Sequence, residues 1–156
     1  MTDHRQILVA LRQITRAIDL HSKHLTKTVG LTAPQLLVLQ ALEKTGRAKP
    51  SDIARAVHLS QATITSIVDR LARAGLADRE RNETDRRVVE VVLTDSGRAR
   101  LAEAPTLLQE GFIERFDQLE PWEQSQLIAA VQRLASMMNV GKMDAAPILQ
   151  IGDLQD

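Results

Sequence analysis

The 156-residue sequence predicts a mainly α fold carrying one small β-hairpin. Three observations lead to that expectation. Residues 60–75, SQATITSIVDRLARAG, open on Ser60, close on Gly75, and place Ile64, Ile67, Val68 and Leu71 at helical spacing. Ser is a favoured N-cap and Gly a favoured residue just past a helix end, so both boundaries are marked. Residues 50–57 read as a shorter helix with Ile53, Ala54 and Val57 on one side, joined to the next by a brief turn at His58 and Leu59. Residues 76–81 and 88–93 are two β-prone runs, separated by a polar loop that ends in Arg86 and Arg87.

The second helix of the pair has a face that a buried helix has no use for. Gln61, Thr63, Thr65 and Ser66 put short polar groups near its start, and Arg70 puts a long cation further on. Hydroxyls and amides reach base-edge donors and acceptors in the DNA major groove, while Arg takes guanine or phosphate. Two helices joined by a few residues, the second with such a face, make a helix-turn-helix. A hairpin with an Arg-bearing tip directly after it is the wing of a winged helix, able to follow the backbone or enter the narrow minor groove. The residues expected at a DNA surface divide by chemistry. Base contact falls to Gln61, Ala62, Thr63, Thr65 and Ser66, with Ser60 at the helix start. Backbone anchoring falls to Ser51, Arg55, Arg70 and Arg73, and the wing contributes Arg86 and Arg87.

Residues 59–97, LSQATITSIVDRLARAGLADRERNETDRRVVEVVLTDSG, resemble the DNA-binding core of the MarR family of bacterial transcription regulators. Asp85-Arg86-Arg87 resembles that family's wing signature, and Leu93-Thr94-Asp95-Ser96-Gly97 the segment after the wing. The resemblance spans residues 31–101, and the flanking helices agree in length and order. It implies a winged helix-turn-helix with long N- and C-terminal dimerisation helices, the first and last two helices of both subunits interlocking. It implies that Asp85 forms a salt bridge holding the wing arginine, with Arg70 as a second partner. It further implies a homodimer on a pseudo-palindromic operator in double-stranded DNA, half-sites facing successive major grooves roughly 34 Å apart. Such proteins usually repress, and let go when a small ligand, often an anionic phenol, binds between the dimer helices and the DNA-binding lobe. The segments AIDLHSKHL, EAPTLLQEGFIERF and WEQSQL also resemble the subgroup that controls ectoine biosynthesis operons. That would make the signal osmotic, salt itself included, because phosphate contacts weaken steeply as ions compete.

Composition bounds the rest. A chain of this length is expected to be a single domain, divided as residues 1–30 (dimerisation helix), 31–100 (winged helix), 101–140 (dimerisation helices) and 141–156 (tail). Cysteine is absent, which excludes a disulfide framework, a thiolate metal site and a cysteine redox sensor. No stretch near the N-terminus reads as a signal peptide and no apolar run approaches the ~20 residues of a membrane span, so a cytoplasmic protein is expected. Formal net charge is zero, but residues 1–102 carry 17 Lys and Arg against 11 Asp and Glu, and residues 103–156 carry 3 against 9. A basic front and an acidic back leave one part suited to phosphate.

Taken in order, residues 1–29 read as one long helix. Ile7, Leu11, Ile14, Ile18, His21 and Leu25 recur at alternating spacings of four and three, a coiled-coil-like stripe, and Leu8 and Ala17 broaden it toward burial on more than one side. His21 and His24 are i, i+3 neighbours with no visible third ligand, so no metal or other cofactor is expected. Gly30 ends this helix, Thr32 caps a second with Pro34 in its first turn, and Leu36, Leu37, Leu39, Ala41 and Leu42 make it core. Gly46 stops it, and Arg47-Ala48-Lys49 reads as a link whose cations are available to phosphate. After the wing, Thr94 and Asp95 start a helix that Pro105 should kink or split. Leu108, Phe112, Ile113 and Phe116 then form an apolar stripe, Glu120-Pro121-Trp122 restarts the chain, and Leu127, Ile128, Val131, Leu134, Met137 and Met138 continue a last helix. The aromatic side chains, all in this part, fit a dimer interface better than a ligand pocket. Residues 141–156 lack periodicity, and Pro147 to Ile151 could pack as an extended arm on a partner subunit.

Two other classes fit the sequence less well. A winged helix serving as a protein–protein module would want a more apolar face than Gln61, Thr63 and Thr65 supply, and has no need of Arg86 and Arg87. An enzyme would want a nucleophile, a Gly-rich phosphate loop or an HExxH helix. The four His, at positions 4, 21, 24 and 58, stand beside no nucleophile, and Asp95-Ser96-Gly97 is better explained as a helix start.

Overall fold

The structure is a computed structural model and describes residues 3–138. These fall into two compact units, the first running to Pro105 and the second starting at Thr106. The first holds α1 (Asp3–Val29), α2 (Ala33–Thr45), β1 (Arg47–Ala48), α3 (Pro50–Val57), α4 (Gln61–Arg73), β2 (Ala77–Arg81), β3 (Val89–Leu93) and α5 (Asp95–Glu103). The second holds α6 (Leu108–Asp117) and α7 (Pro121–Met137). The arm expected over residues 141–156 lies outside the described residues.

Helix ends follow the capping chemistry. Thr32 and Gln35 form a reciprocal capping box ahead of α2, with the Thr32 amide donating to Gln35 Oε1 at 3.0 Å. Ser60 Oγ accepts from the Thr63 amide at 3.1 Å and starts α4. At the other end Gly75 adopts φ +73°, its amide donates to Ala72 O at 3.0 Å, and the Leu76 amide donates to Leu71 O at 2.9 Å. That pair of bonds is the Schellman ending, which needs the left-handed conformation glycine adopts without a Cβ penalty.

The core of this unit lies where α2, α3 and α4 meet the sheet. Leu36, Val38, Leu39, Leu42, Ile53, Ile64, Val68, Leu71, Leu76 and Val91 are all essentially inaccessible to solvent. Each such aliphatic side chain contributes about 1.5–3 kcal/mol by leaving water. The sheet has three antiparallel strands in the order β1-β3-β2. Its first strand corrects the reading of Arg47-Ala48-Lys49 as a mere link. Arg47 and Ala48 pair with Val92 and Val91, so the hairpin is anchored to the segment between α2 and α3. In β2 and β3, Glu80 stands directly opposite Glu90, a repulsive cross-strand pair. Arg47 bridges it, at 2.8 Å to Glu80 Oε2 and 3.2 Å to Glu90 Oε2, so its cation is not free for phosphate.

Two further joints fix α5. Thr94 Oγ1 donates to Gly75 O at 2.7 Å and accepts from the Gly97 amide at 3.0 Å. Gly97 itself lies so close to the end of α4 that a Cβ there would come within 2.0 Å of Leu76 O. Arg100 Nη1 donates to Val29 O at 2.8 Å, satisfying an end carbonyl of α1. The expected break falls where Pro105 stands: α5 stops at Glu103 and α6 starts at Leu108, so the chain splits rather than bends.

The expectation that α1 is buried on more than one side does not hold among the described residues of its own unit. Only Leu25 and Val29 of α1 are buried, and Leu8 and Ile14 are 47% and 56% exposed. The helix is about 40 Å long at 1.5 Å per residue, and the rest of its own unit covers only its C-terminal end. In the second unit, Gln124 Nε2 donates to Phe116 O at 3.0 Å and Leu119 O at 3.3 Å, closing the turn between α6 and α7. The rings of Phe112 and Phe116 stand 5.6 Å apart, yet Phe112, Ile113, Trp122 and Val131 remain exposed.

Candidate nucleic-acid interface

Ile64, Ile67, Val68 and Leu71 of α4 face the core and leave most of its polar positions to solvent. Gln61, Ala62, Thr65 and Ser66 are exposed over its first two turns, and Arg70 and Arg73 over its last. Thr63 is half-buried, its hydroxyl 2.7 Å from Ser60 Oγ. Thr65 donates its hydroxyl to Gln61 O at 2.9 Å. Before α4, Ser51 is half-buried in the first turn of α3, and exposed Arg55 pairs with Asp52 one turn earlier. Asp69 of α4 binds Arg79 of β2, tying the recognition-type helix to the hairpin.

The wing tip is closed by its own hydrogen bonds. The Asn82 amide donates to Val88 O at 2.9 Å and the Val88 amide to Asp85 O at 3.0 Å. Asn82 Oδ1 accepts the amides of Thr84 and Asp85 at 2.8 and 3.0 Å. Asp85 then takes Arg87 three times: Oδ1 accepts the backbone amide and Nε, each at 3.1 Å, and Oδ2 accepts Nη2 at 3.2 Å. A planar guanidinium meeting a carboxylate through two parallel bonds is the fork geometry that gives such pairs their directionality. The Arg87 side chain and backbone amide hold the Asp85 carboxyl below its usual range, and Lys49 nearby acts in the same direction. Arg87 remains 91% exposed, its outer edge open. Arg86 is exposed, and its carbonyl accepts Arg81 Nη1 at 2.8 Å.

Arg70, expected as a second partner of Asp85, is not paired with it among the described residues; Arg87 is. Arg70 lines a cleft of about 380 Å³ with Thr32, Pro34, Gln35, Ala62, Thr63, Ser66 and Ile67, between the start of α2 and α4. The support that Asn82, Glu90 and Arg47 give the wing was missed from sequence. Asn82 was legible as a turn former, since Asn-x-Thr-Asp is a pattern in which the side-chain amide accepts backbone N–H groups. Arg47 and Glu90 meet 43 positions apart, and nothing local in the sequence links them.

A helix-turn-helix packed on a three-stranded sheet, its hairpin tipped with an oriented arginine, is a winged helix. Residues 31–89 match the MarR family model. The transcriptional repressor MdtR of Bacillus subtilis is 39% identical over 74 residues, 47% of this chain and 48% of that protein. The repressor YetL of Bacillus subtilis is 30% identical over 98 residues, 62% of this chain and 59% of that protein. The crystal structure of a MepR-like protein complexed with pseudoligands shares the fold with a TM-score of 0.63 at 29% identity, over 88% of this chain and 97% of that one. Over residues 31–89 this chain is a MarR-family winged helix. Its matches span about half to three-fifths of the length of these two curated relatives. No helix among the described residues is long and apolar enough to cross a membrane.

Proposed function

We propose that this protein is a homodimeric, sequence-specific DNA-binding transcription regulator of the cytoplasm, acting as a repressor on a pseudo-palindromic operator. The observation that carries the reading is the wing: Arg87 is 91% exposed yet held at three points by Asp85. An exposed arginine gains little stability from such pairing, whereas an oriented cation at a hairpin tip suits a phosphate or a narrow minor groove. The face of α4 supplies what base readout needs, with Gln61, Ala62, Thr65 and Ser66 open and Thr63 beside them. Ser60 starts that helix, Arg70 and Arg73 extend from its later turns toward phosphate, and Ser51 and Arg55 add contacts from α3. The relatives named as repressors support the direction of control. Dimerisation through α1, α6 and α7 is supported by the apolar side chains these helices leave uncovered.

The test is selection of bound duplexes from a random pool by the purified protein. The expected outcome is two inverted half-sites centred about one helical turn apart, 10–10.5 base pairs. Recovered sequences without a shared inverted motif would overturn the reading, and the protein–protein module would replace it.

The signal is proposed at two levels. Control of compatible-solute synthesis by osmotic stress rests on the ectoine-regulator resemblance and on the salt sensitivity of phosphate contacts. It requires a steeper dependence of affinity on salt than unrelated dimers of similar size show. Release by a small anionic ligand is the second reading, favoured by the cleft beside Arg70 and by the ligands carried in the MepR-like structure. Such a ligand must prefer one lobe arrangement or compete directly with DNA, since equal affinity for both states shifts nothing.

A further inference from the structure

Asn82 uses both ends of its side-chain amide. Oδ1 accepts the Thr84 and Asp85 amides at the tip, and Nδ2 donates to Glu90 Oε1 at 2.9 Å. Glu90 is only 9% exposed, and its second oxygen takes Arg47 at 3.2 Å. A carboxylate this far from water is costly unless paired and hydrogen-bonded, and this one also faces Glu80 across the ladder. A valine or threonine would suit the strand better. What the carboxylate supplies is a fixed polarity. With an acceptor beneath it, the Asn82 amide can point only Nδ2 inward and Oδ1 toward the tip. The amide of Asp85 is thereby pinned, and Asp85 in turn holds Arg87.

We propose that Glu90 and Asn82 are positioning residues for Arg87. They act as a relay from the sheet through Asp85 that orders the wing arginine before it meets DNA, with Arg47 neutralising the carboxylates at its base. A cation already ordered loses less side-chain entropy on contact with its target. The inference rests on the DNA-binding reading for its consequence, but the relay itself exists in the free protein.

The experiment uses the full chain and a charge-conserving exchange. Asn82→Asp puts a second carboxylate against Glu90 and should release the tip. Adding Glu90→Gln returns a donor and acceptor pair with the polarity reversed, at the net charge of the wild type. Two readouts are taken: 15N relaxation of the Arg87 Nε–H group in the free protein, and affinity for the selected duplex at fixed salt. The expected result is loss of Arg87 Nε order in Asn82→Asp together with about tenfold weaker binding, the size of one lost charged hydrogen bond. The double variant should recover both, to within about threefold in affinity. In an Arg87→Ala background Asn82→Asp should cost less than about twofold, because coupled residues lose their separate effects. Unchanged Arg87 order in Asn82→Asp, no rescue by the exchange, or an equal cost in the Arg87→Ala background would each overturn the relay. If the wild type binds no duplex selectively, the DNA reading fails, and the relaxation measurement still decides whether Asn82 and Glu90 order Arg87.

Discussion

Asp85 accepts three bonds from Arg87 while remaining at the surface, and its carboxyl is pulled below the usual carboxylate range by that side chain and backbone amide. A lowered folded-state value means the interaction is present at and above the ordinary carboxylate range of about 4 and is lost as pH falls through the lower value. A carboxyl 13C titration of Asp85 should therefore report a value below that of an unstructured aspartate, and Arg87→Ala should raise it back. An unchanged titration in that variant would mean the pair is not formed in solution. The same arginine should set the general affinity. Arg87→Ala is expected to weaken binding to operator and random duplex alike and to reduce the salt slope by about one. Gln61→Ala should instead relax discrimination at a particular base pair by about 1–3 kcal/mol, read from affinities for single-base variants of the site. Equal losses on all duplexes for both substitutions would contradict that division. The Asp85–Arg87 pair was legible because both residues sit within three positions of a recognisable signature. Its support by Asn82 and Glu90 was not, since side-chain polarity across a hairpin appears only once the register is known.

Capping residues decide where elements begin and end, which is why α2, α4 and α5 were legible from Thr32, Ser60, Gly75 and Thr94. Ser60→Ala removes the acceptor for the Thr63 amide and should cost about 1 kcal/mol by urea unfolding. Gly97→Ala should cost more, about 1–3 kcal/mol or loss of folding, because its Cβ would meet Leu76 O at 2.0 Å. A Gly97→Ala protein as stable as wild type would refute the close approach of α5 to the end of α4. Strand β1 escaped sequence reading for a physical reason. Two residues, Arg47 and Ala48, are too few to show period-two alternation, and their pairing partners lie across the whole helix-turn-helix. Pro105 was legible as a kink or a split but not as which of the two, since a proline alone does not say whether neighbouring packing rescues the helix.

At the scale of the molecule, α1, α6 and α7 carry most of the exposed large apolar side chains among the described residues, with Ile14 and Val131 each at 56% and Trp122 at 66%. Apolar side chains clustered along one helix and left in water mark an association surface. Ile14→Glu or Val131→Glu should therefore shift the protein toward monomer in sedimentation equilibrium and abolish operator binding while leaving the winged-helix core folded; a variant that stays dimeric would remove that helix from the interface. Sequence periodicity foresaw these stripes, but it could not say how little of them their own chain covers, because core and interface positions look alike. The central claim is that α4 and the wing together read a specific duplex. The most direct test titrates the full chain by fluorescence anisotropy against a selected operator duplex and a scrambled one across salt concentrations. The account predicts dimer-stoichiometric binding at least about 10³-fold tighter on the operator, falling linearly on a logarithmic scale with salt. Equal, weak affinity for both duplexes at every salt concentration would contradict it.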